Sequence, residues 1–297
     1  MNKNLMDEVD ISRRVMDMKK KLGLKKKLKH KSWLVTILCL MYSSIIVLLL
    51  YITLISSFKS GTEIVTDIFS LPKSLDFSHY IEVLTESNFL RAMGNSIFIT
   101  GVSIVGLLIV SSMLAYGYAR YEFKGKGFLQ TFILLGMMFP IQLGVLINFR
   151  VINAMHLVNT PWGLILIYIG NLSLASFLFM RFFAKLPESL AESAKIDGAN
   201  EFTIFARIMM PLSKPIFGTV ALTSGLTIYN DFYMPLIFLS GDQRTATVVL
   251  QNNLSAFLFN IEQIFPMVVI SVIPVIILYI FCQKQLIEGL TAGAEKT

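Results

Sequence analysis

Charge is scarce in this chain. Of its 297 residues only 15% are Asp, Glu, Lys or Arg, against about 25% in an ordinary globular domain. Cysteine is nearly absent: Cys39 and Cys282 both fall in apolar runs, which excludes a disulfide framework or a cysteine metal cluster. His79 has no second ligand at metal spacing, so a surface or packing role is assigned to it. There is no G-x-x-x-x-G-K-[ST] phosphate loop, no H-E-x-x-H, no Ser/His/Asp arrangement and no paired-carboxylate site. The chain therefore carries no nucleotide-hydrolysing or other catalytic motif, no metal site and no cofactor site, and is not read as an enzyme.

What the chain has in abundance is apolar length. Hydrophobic residues make up 55%, and the mean hydropathy is +0.67. Charge is confined to a few islands between six stretches that can each supply the ~20 helical residues a bilayer requires. These are Trp33–Ile55, Gly94–Tyr118, Phe128–Ile147, Trp162–Phe183, Ile216–Leu239 and Ile264–Gln283, the third and fifth interrupted by Pro140 and Pro235. The expected fold is an all-α integral membrane protein with six transmembrane helices. Its divisions are a basic tail at 1–32, a six-span body at 33–283 and a tail at 284–297.

Basic residues orient the spans. The first 32 residues, Arg120–Lys126, Arg181–Lys214 and the C-terminal tail hold 21 of the 26 Lys and Arg. The other side keeps Lys59, Lys73, Arg91, Arg150 and Arg244. Both termini and the loop after the fourth span are thereby expected in the cytoplasm. The N-terminus lacks a cleavage site and is followed by too long an apolar run for a signal peptide. It reads as a topology anchor touching anionic lipid, or as a partner-binding helix. Because the net charge of +7 comes mainly from this tail, no nucleic-acid surface is inferred.

The polar island at 186–215, LPESLAESAKIDGANEFTIFARIMMPLSKP, reads as two short helices joined by a tight turn. Pro187 suits a first helical position and Glu188 the first turn, where the dipole favours an acid. Leu190, Ala191 and Ala194 make a small apolar face, and Glu192 and Lys195 are i,i+3 neighbours. Gly198 stands where a left-handed stop is expected. Asn200 is placed to cap the second helix, with Phe202, Phe205, Ile208 and Met209 as one stripe. Pro211 and Pro215 are expected to close it.

Here the sequence resembles a family. Glu192-Ser193-Ala194, Asp197-Gly198-Ala199, Ile208 and Pro211 keep the spacing of the cytoplasmic "EAA" loop of ABC importer permeases, departing only at Ser193, where Ala is usual. Further matches follow that resemblance. Phe77-Ser78-His79-Tyr80 precedes Asn95-Ser96, Leu157-Val158-Asn159-Thr160-Pro161-Trp162-Gly163 opens the fourth span, and Gly289-Leu290-Thr291-Ala292-Gly293 closes the chain as in maltose-type permeases. Ile147-Asn148-Phe149-Arg150 departs from the family's proline-containing step.

The resemblance implies a prokaryotic inner-membrane, multi-pass permease subunit that imports a carbohydrate. Its expected partners are a second permease, an ABC ATPase dimer that binds ATP and Mg, an extracytoplasmic solute-binding protein and membrane lipid. It implies coupling to the ATPase through Glu192, Ser193, Ala194, Asp197, Gly198, Ala199 and Pro211, with Gly289, Leu290, Thr291, Ala292 and Gly293 approaching the same partner. In the second span, Gly101, Gly106, Ser111 and Ser112 permit close packing against protein. Gln142, Asn148, Asn171, Asn230 and Asp231 are candidate path-lining residues, since polar groups inside a span require a reason. For Asp231 the other reading is a satisfied kink beside Pro235. An ion-coupled secondary transporter or channel is the alternative function; it would need more intramembrane ionisable groups than Asp231 and a visible internal repeat.

Overall fold

The computed structural model describes residues 33–85, 88–255 and 257–294, with side chains at 33–85, 88–254 and 261–285; the basic tail expected at 1–32 lies outside the described residues. Every regular element among them is helical. Helix α1 (Trp33–Ser56) is apolar along its length and buries none of its apolar window against the rest of the chain. Two short helices follow, α2 (Gly61–Thr66) and α3 (Ser78–Thr85). Ser60 and Glu63 form a reciprocal capping box at the start of α2. The aromatic pair of the Phe77–Tyr80 motif folds back onto the end of α1. Phe77 and Tyr80 meet Phe58 at 5.2 and 5.5 Å, and the Tyr80 hydroxyl donates to Ser57 at 2.7 Å. Lys59 is fully buried here, its ammonium donating to the carbonyls of Asp67 and Ile68 at 3.0 Å each. His79 packs between Glu82 and Glu262, 4.0 and 3.8 Å from Nδ1, in keeping with a packing role.

The body consists of α4 (Phe89–Arg120), α5 (Lys126–Met138), a 3-10 turn at Ile141–Gly144, α6 (Val145–Ala154), α7 (Pro161–Gly170) and α8 (Ser173–Phe183). After the short α9 (Ser189–Ile196) and α10 (Glu201–Ile204), a π-helical turn at Phe205–Met209 leads through α11 (Met210–Leu212) to α12 (Lys214–Tyr229). The chain ends in α13 (Tyr233–Phe238), α14 (Ala246–Ser255) and α15 (Phe257–Ala294). Among the described residues three helices are long and apolar enough to cross a membrane: α1, α4 and the Ile261–Gln285 part of α15. Two bent pairs pass the same test together, Lys126–Met138 with Ile141–Ala154 at 95°, and α7 with α8 at 43°.

The expected third span therefore ends at Pro140, and Ile147 lies on the segment that turns away. The expected fifth span is divided between α12 and α13, but its break falls at 230–232 rather than at Pro235. Pro235 sits in the first turn of α13, where its missing N–H costs no intrahelical bond.

Three buried clusters lie one after another along α4. Phe89 and Met93 pack with Val83, Ala246 and Met267. Ile99 packs with Leu164, Tyr168, Ile228, Met234 and Phe238. Leu107, Ala115 and Tyr116 pack with Phe179, Phe183, Ala191, Ala194, Ile204 and Met209. The small residues of α4 make this closeness possible: Ser103, Ser111 and Ser112 are fully buried, and a Cβ on Gly106 would stand 2.3 Å from the Ile169 side chain. Gly101, by contrast, meets no neighbour.

Candidate functional site: a helical knob and a polar cavity

The polar island folds as a knob. Helix α9 starts at Ser189 with Glu188 as its cap residue, so Pro187 stands before the cap rather than inside the first turn. Ala191 and Ala194 bury against the core beside Phe183, whereas Leu190 faces out. Ser193 back-bonds to the Ser189 carbonyl at 2.8 Å and is exposed, so the departure from Ala leaves packing untouched. At its C-terminus α9 closes in a Schellman arrangement: Ala199 N–H reaches the Ala194 carbonyl at 2.9 Å and Gly198 N–H the Lys195 carbonyl at 3.0 Å. Gly198 has φ of +84°, the left-handed conformation that glycine adopts without cost. Asn200 caps α10 as expected, its side chain accepting the Thr203 N–H at 2.8 Å.

Three further details differ from the sequence reading. Lys195 bonds Glu201 at 2.7 Å instead of Glu192. The π turn shifts the helical register by one residue, so Met209 is buried, Phe205 and Ile208 are half-buried, and Phe202 is 71% exposed. Pro211 and Pro215 do not close the helix: the Met210 N–H bonds the Phe205 carbonyl, Pro211 sits at the start of α11, and only Ser213 separates α11 from α12.

On the knob Ile196 is 87% and Phe202 71% exposed, and the charged side chains of Glu188, Glu192, Asp197 and Arg207 are exposed as well. Hydrogen bonds from Lys195 and then Tyr116 hold the Glu201 carboxyl below the ordinary carboxylate range. The bond to Glu201 in turn raises Lys195.

The second feature is a cavity of about 530 Å³ where three helix breaks converge. Pro140, Asn171 and Asp231 mark the breaks between α5 and α6, α7 and α8, and α12 and α13, and all three line it together with Gln142. A neighbouring cavity of about 700 Å³ is lined by Asn148 and again by Asn171 and Pro140. Asn230, the cap of α12, lines neither. Both oxygens of Asp231 accept bonds within the chain: Oδ1 the N–H of Tyr233 at 2.9 Å and of Met234 at 3.4 Å, and Oδ2 the Tyr168 hydroxyl at 2.8 Å. It holds the first free N–H groups of α13 and also lines the cavity. Tyr168, Thr223 and Thr227 line the cavity and escaped the sequence reading. The i,i+4 threonines at 219, 223 and 227 were the available signal.

A third polar set holds the segment 239–247. The Asn95 amide donates to the carbonyls of Asp242 and Arg244 at 2.8 and 3.0 Å, Ser96 accepts the Ala246 N–H at 2.9 Å, and Arg91 pairs with Asp242. Asn159 donates its N–H to the Phe238 carbonyl at 2.9 Å and accepts the Ser240 N–H at 2.8 Å. The Asn95-Ser96 and Asn159 motifs are thus clasps for one segment. The Gly289–Gly293 backbone continues α15; its side chains lie outside those described. Among the described residues no group of three or more His, Cys, Asp or Glu is placed to hold a metal.

The family described as binding-protein-dependent transport system inner membrane component matches residues 106–290. The arabinooligosaccharides transport system permease protein AraQ of Halalkalibacterium halodurans is 34% identical over 270 residues, 89% of this chain and 96% of that protein. The diacetylchitobiose uptake system permease protein NgcG of Streptomyces coelicolor is 30% identical, covering 86% of each. Among solved structures, a bacterial ABC transporter involved in the import of the acidic polysaccharide alginate aligns with a TM-score of 0.73 at 25% identity, over 84% of this chain and 94% of that one.

Proposed function

The chain belongs to the family of binding-protein-dependent transport system inner membrane components, and from that premise we propose that it is the permease subunit of an ABC importer for an oligosaccharide. Related permeases serve arabinooligosaccharide and diacetylchitobiose systems, which supports a glycan cargo. The working assembly is two permeases, two ATPases and a solute-binding protein in a bacterial inner membrane, with ATP and Mg bound by the ATPases. This chain crosses the bilayer six times, the fifth time through α12 and α13, with both termini and the knob in the cytoplasm. The distribution of Lys and Arg supports that orientation.

The single observation that carries the mechanism is the tip of the knob. A polar element that leaves Ile196 and Phe202 in solvent, on a base closed by Gly198 and Asn200, has the form of an anchor pair for a partner's cleft. When the ATPases close on ATP, the docked knobs move together, and the helices attached to them pass from inward to outward opening. Glu192, Ser193, Asp197 and Gly198 belong to the docked surface, Ala194 and Ala199 to its base, and Gly289–Gly293 follow α15 toward the same partner. The cavity bounded by Gln142, Asn171 and Asp231 is the stretch of the path that this subunit lines. Amide, carboxylate and hydroxyl groups there suit a polyhydroxylated ligand. The test is purification of the assembled complex. Co-elution with the ATPase, and ATP hydrolysis stimulated by the loaded solute-binding protein, are expected. A permease that moves solute without either result would sink the reading.

A further inference from the structure

Glu201 adds a polar link among three elements whose apolar faces already share one buried cluster. It opens α10, and its two carboxylate oxygens are used separately. Oε1 accepts Lys195 Nζ from the last turn of α9 at 2.7 Å, and Oε2 accepts the hydroxyl of Tyr116 from the last turn of α4 at 2.9 Å. The Tyr116 ring is held from both sides, edge-on to Phe183 at 6.1 Å and tilted against Phe205 at 5.3 Å, and it is 7% exposed. A first-turn acid in α10 satisfies the helix dipole without any partner, and Asn200 already performs the capping. Neither local role explains a carboxylate shared between α9 and a residue 85 positions away.

The chain itself ties the knob only to α8 and, through α11, to α12. Along the chain α4 is separated from it by α5 to α8, yet α4 touches all three buried clusters. We propose that Glu201 is a positioning residue that straps the knob to α4 through Tyr116, so that a displacement of the knob is delivered directly to the central helix. The Lys195 arm stiffens the knob across the turn at Gly198, so that α9 and α10 move as one piece. That arm is exposed to water and screened, whereas the Tyr116 arm sits at the edge of the core. A carboxylate is required because each donor needs its own acceptor oxygen. Gln offers one acceptor and turns an amide N–H₂ on the other donor.

This inference rests on the docking role of the knob, and the test separates the two. The complete importer, reconstituted in proteoliposomes with its solute-binding protein, is made with Glu201→Ala, Glu201→Gln and Tyr116→Phe, and three quantities are read: ATPase retained on purification, ATP hydrolysed, and solute imported per ATP. Retained ATPase and hydrolysis are expected, with import per ATP falling about five-fold or more in Glu201→Ala and Tyr116→Phe, the lower end of common coupling energies. Adding Tyr116→Phe to Glu201→Ala should change nothing further, because the alanine has already removed the bond that the Tyr116 hydroxyl makes. Should Glu201→Ala fail to assemble, Tyr116→Phe, which deletes only a hydroxyl, decides the matter. Import per ATP equal to the parent in an assembled Tyr116→Phe complex overturns the strap. Failure of the unmodified chain to retain the ATPase would instead overturn the docking role.

Discussion

Shortening Ile196 tests the docking surface with little risk to the fold. Its side chain is 87% exposed, so Ile196→Ala removes almost no contact within the chain, and folding stability should stay within about 0.5 kcal/mol of the parent. In a complex that covers the tip, the same change removes three carbons from a buried contact. At about 0.8 kcal/mol per buried carbon the loss is about 2.4 kcal/mol. That corresponds to an affinity for the ATPase weaker by about 50-fold. Phe202→Ala should cost about 1.5–3 kcal/mol by the same argument. The double variant should lose less than the sum if both side chains enter one pocket.

The assay is a titration of nanodisc-held permease with its ATPase, alongside thermal unfolding of the permease alone. Val65→Ala, at an apolar side chain 73% exposed on α2, serves as the control and should leave the affinity unchanged. An ATPase Kd for Ile196→Ala within two-fold of the parent would refute the reasoning. So would an equal loss for Val65→Ala, which would mark a general effect of surface polarity.

Gly198 has open space around a built Cβ but a φ of +84°, so Gly198→Ala should cost only the left-handed penalty of about 1–2 kcal/mol. Gly198→Asp adds a charge at the tip. It should abolish solute uptake with the protein still in the membrane, and normal uptake would count against the docking role. Gly163 is tighter: a Cβ there would stand 2.6 Å from the Leu157 carbonyl oxygen and 2.9 Å from Ile152, so Gly163→Ala should lower stability by about 1–3 kcal/mol, read as a drop in Tm in detergent. An unchanged Tm would show that the turn before α7 yields freely. The pH response follows from the Glu201–Lys195 pair, beside which Tyr116, Tyr121 and Arg120 also stand. Glu201 is depressed, so its contribution is present above the ordinary carboxylate range and lost as pH falls through the lowered value. Lys195 is raised, so its contribution is present below the ordinary lysine range and lost as pH rises through the raised value. Hydrogen exchange of the α10 amides should therefore be best protected across a plateau of roughly pH 5–9. Glu201→Gln should remove the acid-side fall; an unaltered profile in that variant would assign the fall to another group.

The parts of this molecule that could be read in advance are those decided by neighbouring residues. Gly198 and Asn200 announce a stop and a cap because left-handed φ and a side-chain acceptor are local requirements, and both are met. Pro140 announces a break for the same reason. Pro235 misled because proline is costly inside a helix and harmless in a first turn, and which applies depends on where Asp231 starts α13. The π turn is invisible in the pattern, since a one-residue register shift leaves composition unchanged while moving Phe202 to the surface and Met209 to the core. Nonlocal partnerships were out of reach. Nothing near Lys195 says that Glu201 outcompetes Glu192, and nothing in three separate apolar stretches says that Pro140, Asn171 and Asp231 surround one space. Tyr168 was missed because a lone tyrosine in an apolar run is ordinary until its hydroxyl finds an acid.

Helix α4 carries a polar clasp near each end, and this constrains any account of alternating access. At one end Arg91, Asn95 and Ser96 hold the segment 239–247; at the other Tyr116 holds Glu201. Its 32 residues form one α-helix, about 48 Å long at 1.5 Å per residue. Its neighbours α7 and α8 bend at Asn171, and α5 turns away at Pro140. Motion imposed on the knob therefore has two routes. Through the chain it must cross the breaks at 171 and 230–232, where bending can absorb it. Through the strap it enters a helix with no such break and emerges at the segment clasped by Asn95. A device that opens one side as it closes the other needs contacts that differ between its two states, and contacts at broken helices can differ cheaply. On the proposed reading the unbroken helix is the lever and the three breaks around the cavity are its joints.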